Sequence, residues 1–165
     1  ADKLSGHVAG NLPLMKARFD AALSLLRKHK TVDPRRIAAI GYSFGGKVVL
    51  DMARQGADLA GVVSFWGLVG TQHPAQKGRV KAKVLVFNGK DDPMAPPEQI
   101  RQFQQEMTAA AVDYKLIDYP NLKHAFTRPD ANARGKKHNL PLAYDAEADR
   151  KSWTEMQDFF KRVFR

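Results

Sequence analysis

IAAIGYSFGGKVVLDMA, residues 37–53, decides how the rest of the chain is read. It runs from a short apolar, β-leaning segment, IAAIGY, through a serine flanked by glycines, into GKVVLDMARQ, which reads as helix. Gly41, Tyr42, Ser43, Phe44 and Gly45 fit G-x-S-x-G, the strand-to-helix turn that lifts a serine hydroxyl clear of a sheet. Strand and helix pass closely at such a strained turn, so Gly41 and Gly45 are expected to supply clearance, with Gly46 adding more. A glycine-rich turn of some other α/β protein, including a phosphate cradle, is the competing account. The stretch lacks the Lys-Ser/Thr ending of a P-loop and the G-x-G-x-x-G spacing of a dinucleotide site.

Outward from this turn, strand-like runs alternate with amphipathic helical ones. Upstream, Leu12, Met15, Phe19, Leu23 and Leu26 recur at three and four residues, the stripe of a helix. Downstream, GVVSFWG, KVLVFNG and VDYKLIDYP read as strands, and PPEQIRQFQQEMTAA reads as a helix with proline in its first turn and Ile100, Phe103 and Met107 on its buried face. A last helix aligns Trp153, Met156, Phe160 and Val163 on one side. Nearly all-apolar strands between amphipathic helices predict an α/β fold: a mostly parallel sheet with helices on both faces, in a single domain over residues 1–165. TRPDANARGKKHNLPLAYDAEAD, residues 127–149, reads as one long irregular stretch.

Composition bounds the chemistry. The 165 residues are 44% hydrophobic, enough for one sizeable core. The chain has no cysteine, which excludes a disulfide framework, a thiolate metal site and a cysteine nucleophile. No apolar run approaches the roughly 20 residues of a membrane span, so a soluble chain with no membrane partner is expected, and the sequence leaves cytoplasm and periplasm both open. A net charge of +10 attracts polyanions in general. The basic residues are spread along the chain, however, and their densest stretch, residues 123–138, has no aromatics at a stacking spacing. No nucleic-acid partner is expected.

A serine hydroxyl needs a base within hydrogen-bond reach, and the base needs an acid to orient it. In parallel α/β folds such groups sit past the carboxyl ends of strands, which points to GKDDPMAPP and NLKHAF. Serine, then aspartate, then His124 is the chain order of α/β-hydrolases. Among the five histidines, His7 lies in an N-terminal segment, His29 at a helix end and His138 in the basic stretch, while His73 precedes the aspartates and breaks the order. Asp91 and Asp92 are both candidate acids, and both are also turn formers ahead of Pro93. Tyr42 and Trp66 are candidate pocket residues; Trp66 and Phe65 end the strand beside the elbow strand, where Trp66 is equally suited to a core and Phe65 better suited to one. Arg128 and Arg134 suit either an anionic substrate group or a solvated surface.

From Leu12 onward the sequence resembles the dienelactone hydrolase family of α/β-hydrolases, through RIAAIGYSFGG, ADLAGVVSFWG, KAKVLVFNGKDDPMAPPEQI, YPNLKHAF and GKKHNLPLAYDAEADRKSW. The resemblance implies hydrolysis of a small-molecule carboxylic ester or lactone, as by a carboxymethylenebutenolidase or carboxylesterase, with no metal or organic cofactor. It assigns the acid to Asp92, three residues after Gly89, and the base to His124 of the Y-P-x-x-x-H-x-F motif. The family usually carries cysteine at the nucleophile, where this chain has Ser43. The likeness also begins at the family's middle, which implies an N-terminally incomplete hydrolase lacking the early strands. One oxyanion donor would be missing with them, leaving the Phe44 N–H, and IAAIGY would form an unpaired edge. That edge is expected to pair with a missing N-terminal segment or a second copy of the chain. The alternative is a non-catalytic, hydrolase-like binding or assembly module working through the same edge.

Overall fold

Four strands form one sheet in chain order: β1 (Ala38–Tyr42), β2 (Gly61–Phe65), β3 (Lys83–Gly89) and β4 (Tyr114–Tyr119). Every neighbouring pair is parallel, with Tyr42 opposite Phe65 and Phe65 opposite Phe87. The structure is a computed structural model and describes Gly6, Val8 and residues 10–165. His7 lies outside the described residues.

Strand alternation divides the core in two. Val62, Val84 and Val86 face α1 (Leu12–Arg27), α2 (Phe44–Arg54) and α3 (Pro97–Ala109), meeting Leu23, Val49, Leu50, Ile100, Phe103 and Met107. Val63, Phe65, Leu85 and Phe87 face the other way, onto Met156 and Phe159 of α5 (Ala146–Val163) and Ala131 of α4 (Ala131–His138). Helices thus cover both faces, and β2 is buried along its whole length. Among the described residues β1 pairs only with β2, leaving Ile40 43% and Tyr42 40% exposed.

Local chemistry sets the helix starts. Asn11 accepts the Leu14 N–H at α1, and Asp145 accepts the Ala148 N–H at α5, where Glu147 and Asp149 add negative charge to the first turn. α3 begins on Pro97, whose missing N–H has no helical partner to lose.

Three expectations change. The stretch 127–149 is not irregular throughout, because it contains α4. Trp153 is 48% exposed; the buried stripe of α5 is Ala148, Ser152, Met156 and Phe159, and Trp153 sits about 100° round the helix from Ser152. In α1 the stripe is buried at Met15 and Leu23, but its last member, Leu26, is exposed.

The connection from β2 to β3, residues 66–82, has neither helix nor strand and is held by a buried ionic cluster. Arg54, with a fully buried side chain, donates to Glu106 through Nε and Nη2 (2.8 and 3.0 Å), to Asp51 Oδ1 (3.0 Å) and to the Val69 carbonyl (2.8 Å). Lys47 donates to Asp51 Oδ2 (2.9 Å) and to the Gly70 carbonyl (3.0 Å), and Glu106 accepts the Ala75 N–H (2.6 Å). Side chains thereby satisfy backbone groups that regular structure would otherwise pair.

Candidate active site

The turn between β1 and α2 is as tight as its glycines require. A Cβ on Gly41 would lie 2.1 Å from the Gly45 carbonyl oxygen, and one on Gly46 would lie 2.5 Å from Ser64 Oγ and 2.7 Å from Gly67 Cα. Gly45 itself would meet nothing within 4 Å, so the clearance comes from Gly41 and Gly46, and Gly45 contributes its backbone to the contact. Ser43 takes φ 51° and ψ −118°, a conformation L-residues rarely adopt, while its N–H bonds the Phe65 carbonyl and its carbonyl accepts the Lys47 N–H. Strand pairing and the first helical turn together hold the strain in place.

Ser43 Oγ lies 2.9 Å from His124 Nε2, and His124 Nδ1 lies 2.7 Å from Asp92 Oδ2. The three come from separate places: the end of β1, the loop after β3 and the loop after β4. Asp92 is 2% exposed, whereas Asp91 is exposed, which separates the two candidate acids. Asp92 Oδ1 accepts the Met94 N–H (2.8 Å), so the carboxylate is held at both oxygens. The loop carrying His124 is fixed on both flanks: the Asp91 N–H bonds the Leu122 carbonyl, and the Ala143 N–H bonds the His124 carbonyl. His29 and His73 are exposed and outside this hydrogen-bonded line, and His138 ends α4 in solvent.

Trp66 follows β2 at φ 39°, with its indole edge-on to the His124 ring at 4.9 Å and its N–H donated to Thr127 Oγ1 (2.8 Å). Phe65 belongs to the core at 1% exposure and stacks between Tyr42 and Phe87 at 4.7 and 4.8 Å. Burial, with a smaller contribution from Asp149, raises the Tyr42 phenol above its ordinary pKa. A cleft of about 680 Å³ opens over Ser43 and His124, walled by Tyr42, Phe44, Trp66, Leu68, Met94, Leu140 and Leu142, with Lys47, Arg128 and Arg134 at its polar side. Phe44 is the first residue of α2, so its N–H has no partner within the helix.

Among the described residues no group of three His, Asp or Glu side chains is placed to hold a metal ion, and no helix is long and apolar enough to cross a membrane. The sequence reading missed the part played by Thr127 and the whole ionic cluster. Lys47, Asp51 and Arg54 carry a helical spacing that hints at it, but Glu106 comes from another helix.

The chain and its fold have counterparts among known proteins. The Dienelactone hydrolase family model matches residues 7–164, and the chain belongs to that family. It is 29% identical over 155 residues to an uncharacterized protein of Caenorhabditis elegans, covering 91% of this chain and 94% of that one. It is 29% identical over 136 residues to a Yersinia pestis protein provisionally named a carboxymethylenebutenolidase, covering 78% of this chain but 47% of the relative. The crystal structure of a dienelactone hydrolase-like promiscuous phosphotriesterase from metagenomic libraries superposes with a TM-score of 0.83 at 35% identity, over 93% of this chain and 63% of that one. The chain thus spans about half the length of the Yersinia relative and under two thirds of that solved structure.

Proposed function

We propose that this chain hydrolyses a carboxylic ester or lactone by acyl transfer through Ser43, without metal or organic cofactor. The supporting observation is the continuous line from Ser43 Oγ through the His124 ring to Asp92, at 2.9 and 2.7 Å. Asp92 accepts the Nδ1 proton and so leaves the Nε2 lone pair facing the hydroxyl. His124 takes the Ser43 proton as Oγ bonds to the acyl carbon, and the carbonyl π pair moves onto oxygen. The Phe44 N–H then holds that oxyanion. Collapse expels the alcohol oxygen, which takes the proton from imidazolium. Water, deprotonated by His124, attacks the acyl-enzyme in turn and releases the acid and Ser43.

The test follows a short-chain aryl ester in Ser43→Ala and His124→Ala variants. Each is expected to lose at least about 10³ in kcat, and unchanged turnover in either removes the assignment. A serine-directed fluorophosphonate is expected to label Ser43 alone.

A second reading is favoured by one observation. Among the described residues β1 has a partly apolar, unpaired edge, and such an edge templates pairing with another strand, as in a binding or assembly module. A protein that resists the fluorophosphonate yet runs as a dimer would support that reading over catalysis.

A further inference from the structure

Exposed apolar side chains gather at the mouth of the cleft. Tyr42 at the end of β1, Met94 in the loop after β3 and Leu140 just past α4 are each more than a third exposed, and all three line the cleft over Ser43. Pro141, next to Leu140, is exposed as well, and Ile40 stands two residues before Tyr42 on the same face of β1, exposed like it. Below this rim the wall stays apolar through Phe44, Trp66, Leu68 and Leu142. An open apolar surface of this kind marks a place where another apolar phase is met.

Positive charge borders the rim on the side of α4, which reaches the cleft through Arg134. The buried residues of this helix are Ala131 and Gly135, so at about 100° per residue Lys137 points some 200° away from Gly135, into solvent. Its last turn, Lys136, Lys137 and His138, is wholly exposed. Residues 128–141 hold four Lys or Arg against one acid, Asp130, and Arg128 takes that acid. The apolar tip at Leu140 and Pro141 therefore sits directly beside a cationic helix.

We propose that the mouth of the cleft rests on an anionic lipid surface, with Tyr42, Met94 and Leu140 entering the apolar layer and the lysines of α4 lying against the headgroups. Charge complementarity selects this occupant. The rim also comes from three separate loops around an opening, which offers no continuous groove to a helix or strand of a protein partner. A fluid layer conforms to such a rim and can pass an ester into the cleft while the rim stays covered. No described helix is long and apolar enough to cross a membrane, and a rim that lies on the surface needs none. The delivery of substrate rests on acyl transfer at Ser43, whereas binding to the surface needs no turnover.

The first test is co-sedimentation of the full chain with vesicles of phosphatidylcholine alone and of phosphatidylcholine mixed with phosphatidylglycerol. Binding to the anionic vesicles is expected, at least about tenfold tighter than to the neutral ones. Leu140→Ser should weaken it about fivefold, and Lys136→Ala with Lys137→Ala at least about tenfold. Lys30→Ala with Arg35→Ala removes as much charge from exposed positions ahead of β1, at the other end of the sheet, and should change it less than about twofold. No binding, wild-type binding by Leu140→Ser, or equal loss in the two double variants overturns the proposal. So does duplex DNA bound as tightly as the vesicles, with loss in the α4 variant and none in Leu140→Ser, which would mark a plain polyanion surface.

The second test presents para-nitrophenyl octanoate in the same two kinds of vesicle. Turnover is expected to be about tenfold faster from the anionic vesicles, with that ratio falling toward one in Leu140→Ser. Equal rates from both vesicles overturn the delivery. Absence of turnover on every ester counts against acyl transfer itself, and sedimentation then decides the surface alone.

Discussion

Two buried ionic assemblies flank α2, and they differ in where their hydrogen bonds end. Asp92 and His124 have side chains 0% and 5% exposed, and their line ends on the Ser43 hydroxyl in an open cleft. Arg54, Asp51 and Glu106 are about as buried, at 0%, 7% and 12%, but their bonds run out onto the backbone of residues 69–75. Burial and pairing are therefore common to both. What sets them apart is a reactive terminus: one line stops at a group that can exchange a proton with a bound molecule, and the other at amide and carbonyl groups that cannot.

Substitutions can break or sharpen that contrast. The largest effect is expected from Asp92→Asn, which keeps the shape but turns the imidazole to the wrong tautomer. It should lower kcat on phenyl acetate by about 10⁴ while leaving the urea midpoint nearly in place. A loss under about tenfold would make the two assemblies alike. Arg54→Met should do the reverse. It leaves the Glu106 carboxylate without its cation and Asp51 with Lys47 alone, both out of water, so a destabilisation of about 3–5 kcal/mol is expected in urea unfolding. Replacing Glu106 by Leu in the same protein should recover part of it.

Trp66→Phe tests how firmly the reactive line is aimed. It removes the indole N–H held by Thr127 and keeps an aromatic ring against His124, so a fall of about tenfold in kcat with little change in stability is expected. Thr127→Ser, which retains the acceptor, should stay close to wild type. The smallest effect concerns Tyr42, whose phenol holds its proton more tightly in the folded chain than in the unfolded one because of burial and Asp149. Its contribution to stability is present below about pH 10 and lost as pH rises through the folded value. Tyr42→Phe should flatten the alkaline fall of the urea midpoint.

Much of this was legible in the amino-acid string. The four strands, their parallel pairing and helices on both faces follow from apolar runs set between amphipathic ones, and Ser43, Asp92 and His124 converge as their chain order and resemblance imply. α4 was not legible, because its buried face is only Ala131 and Gly135, too small to register as an apolar stripe. The Arg54 cluster was hidden for another reason. A charge on a helix reads as solvated surface unless the partner is known, and Glu106 lies 52 residues away. Trp153 misled because a large aromatic one position off a stripe outweighs the small Ser152 that lets α5 approach the sheet.

A serine at the turn of a chain without thiols changes how the cleft responds to an oxidising medium. Iodoacetamide and dilute peroxide, which silence a thiolate at such a turn, find no sulfhydryl here. The vulnerable atom moves to the rim, to the thioether of Met94, a residue 37% exposed. Its sulfoxide would place a polar oxygen at the edge of the cleft, so oxidative stress would reshape the entrance and spare the hydroxyl.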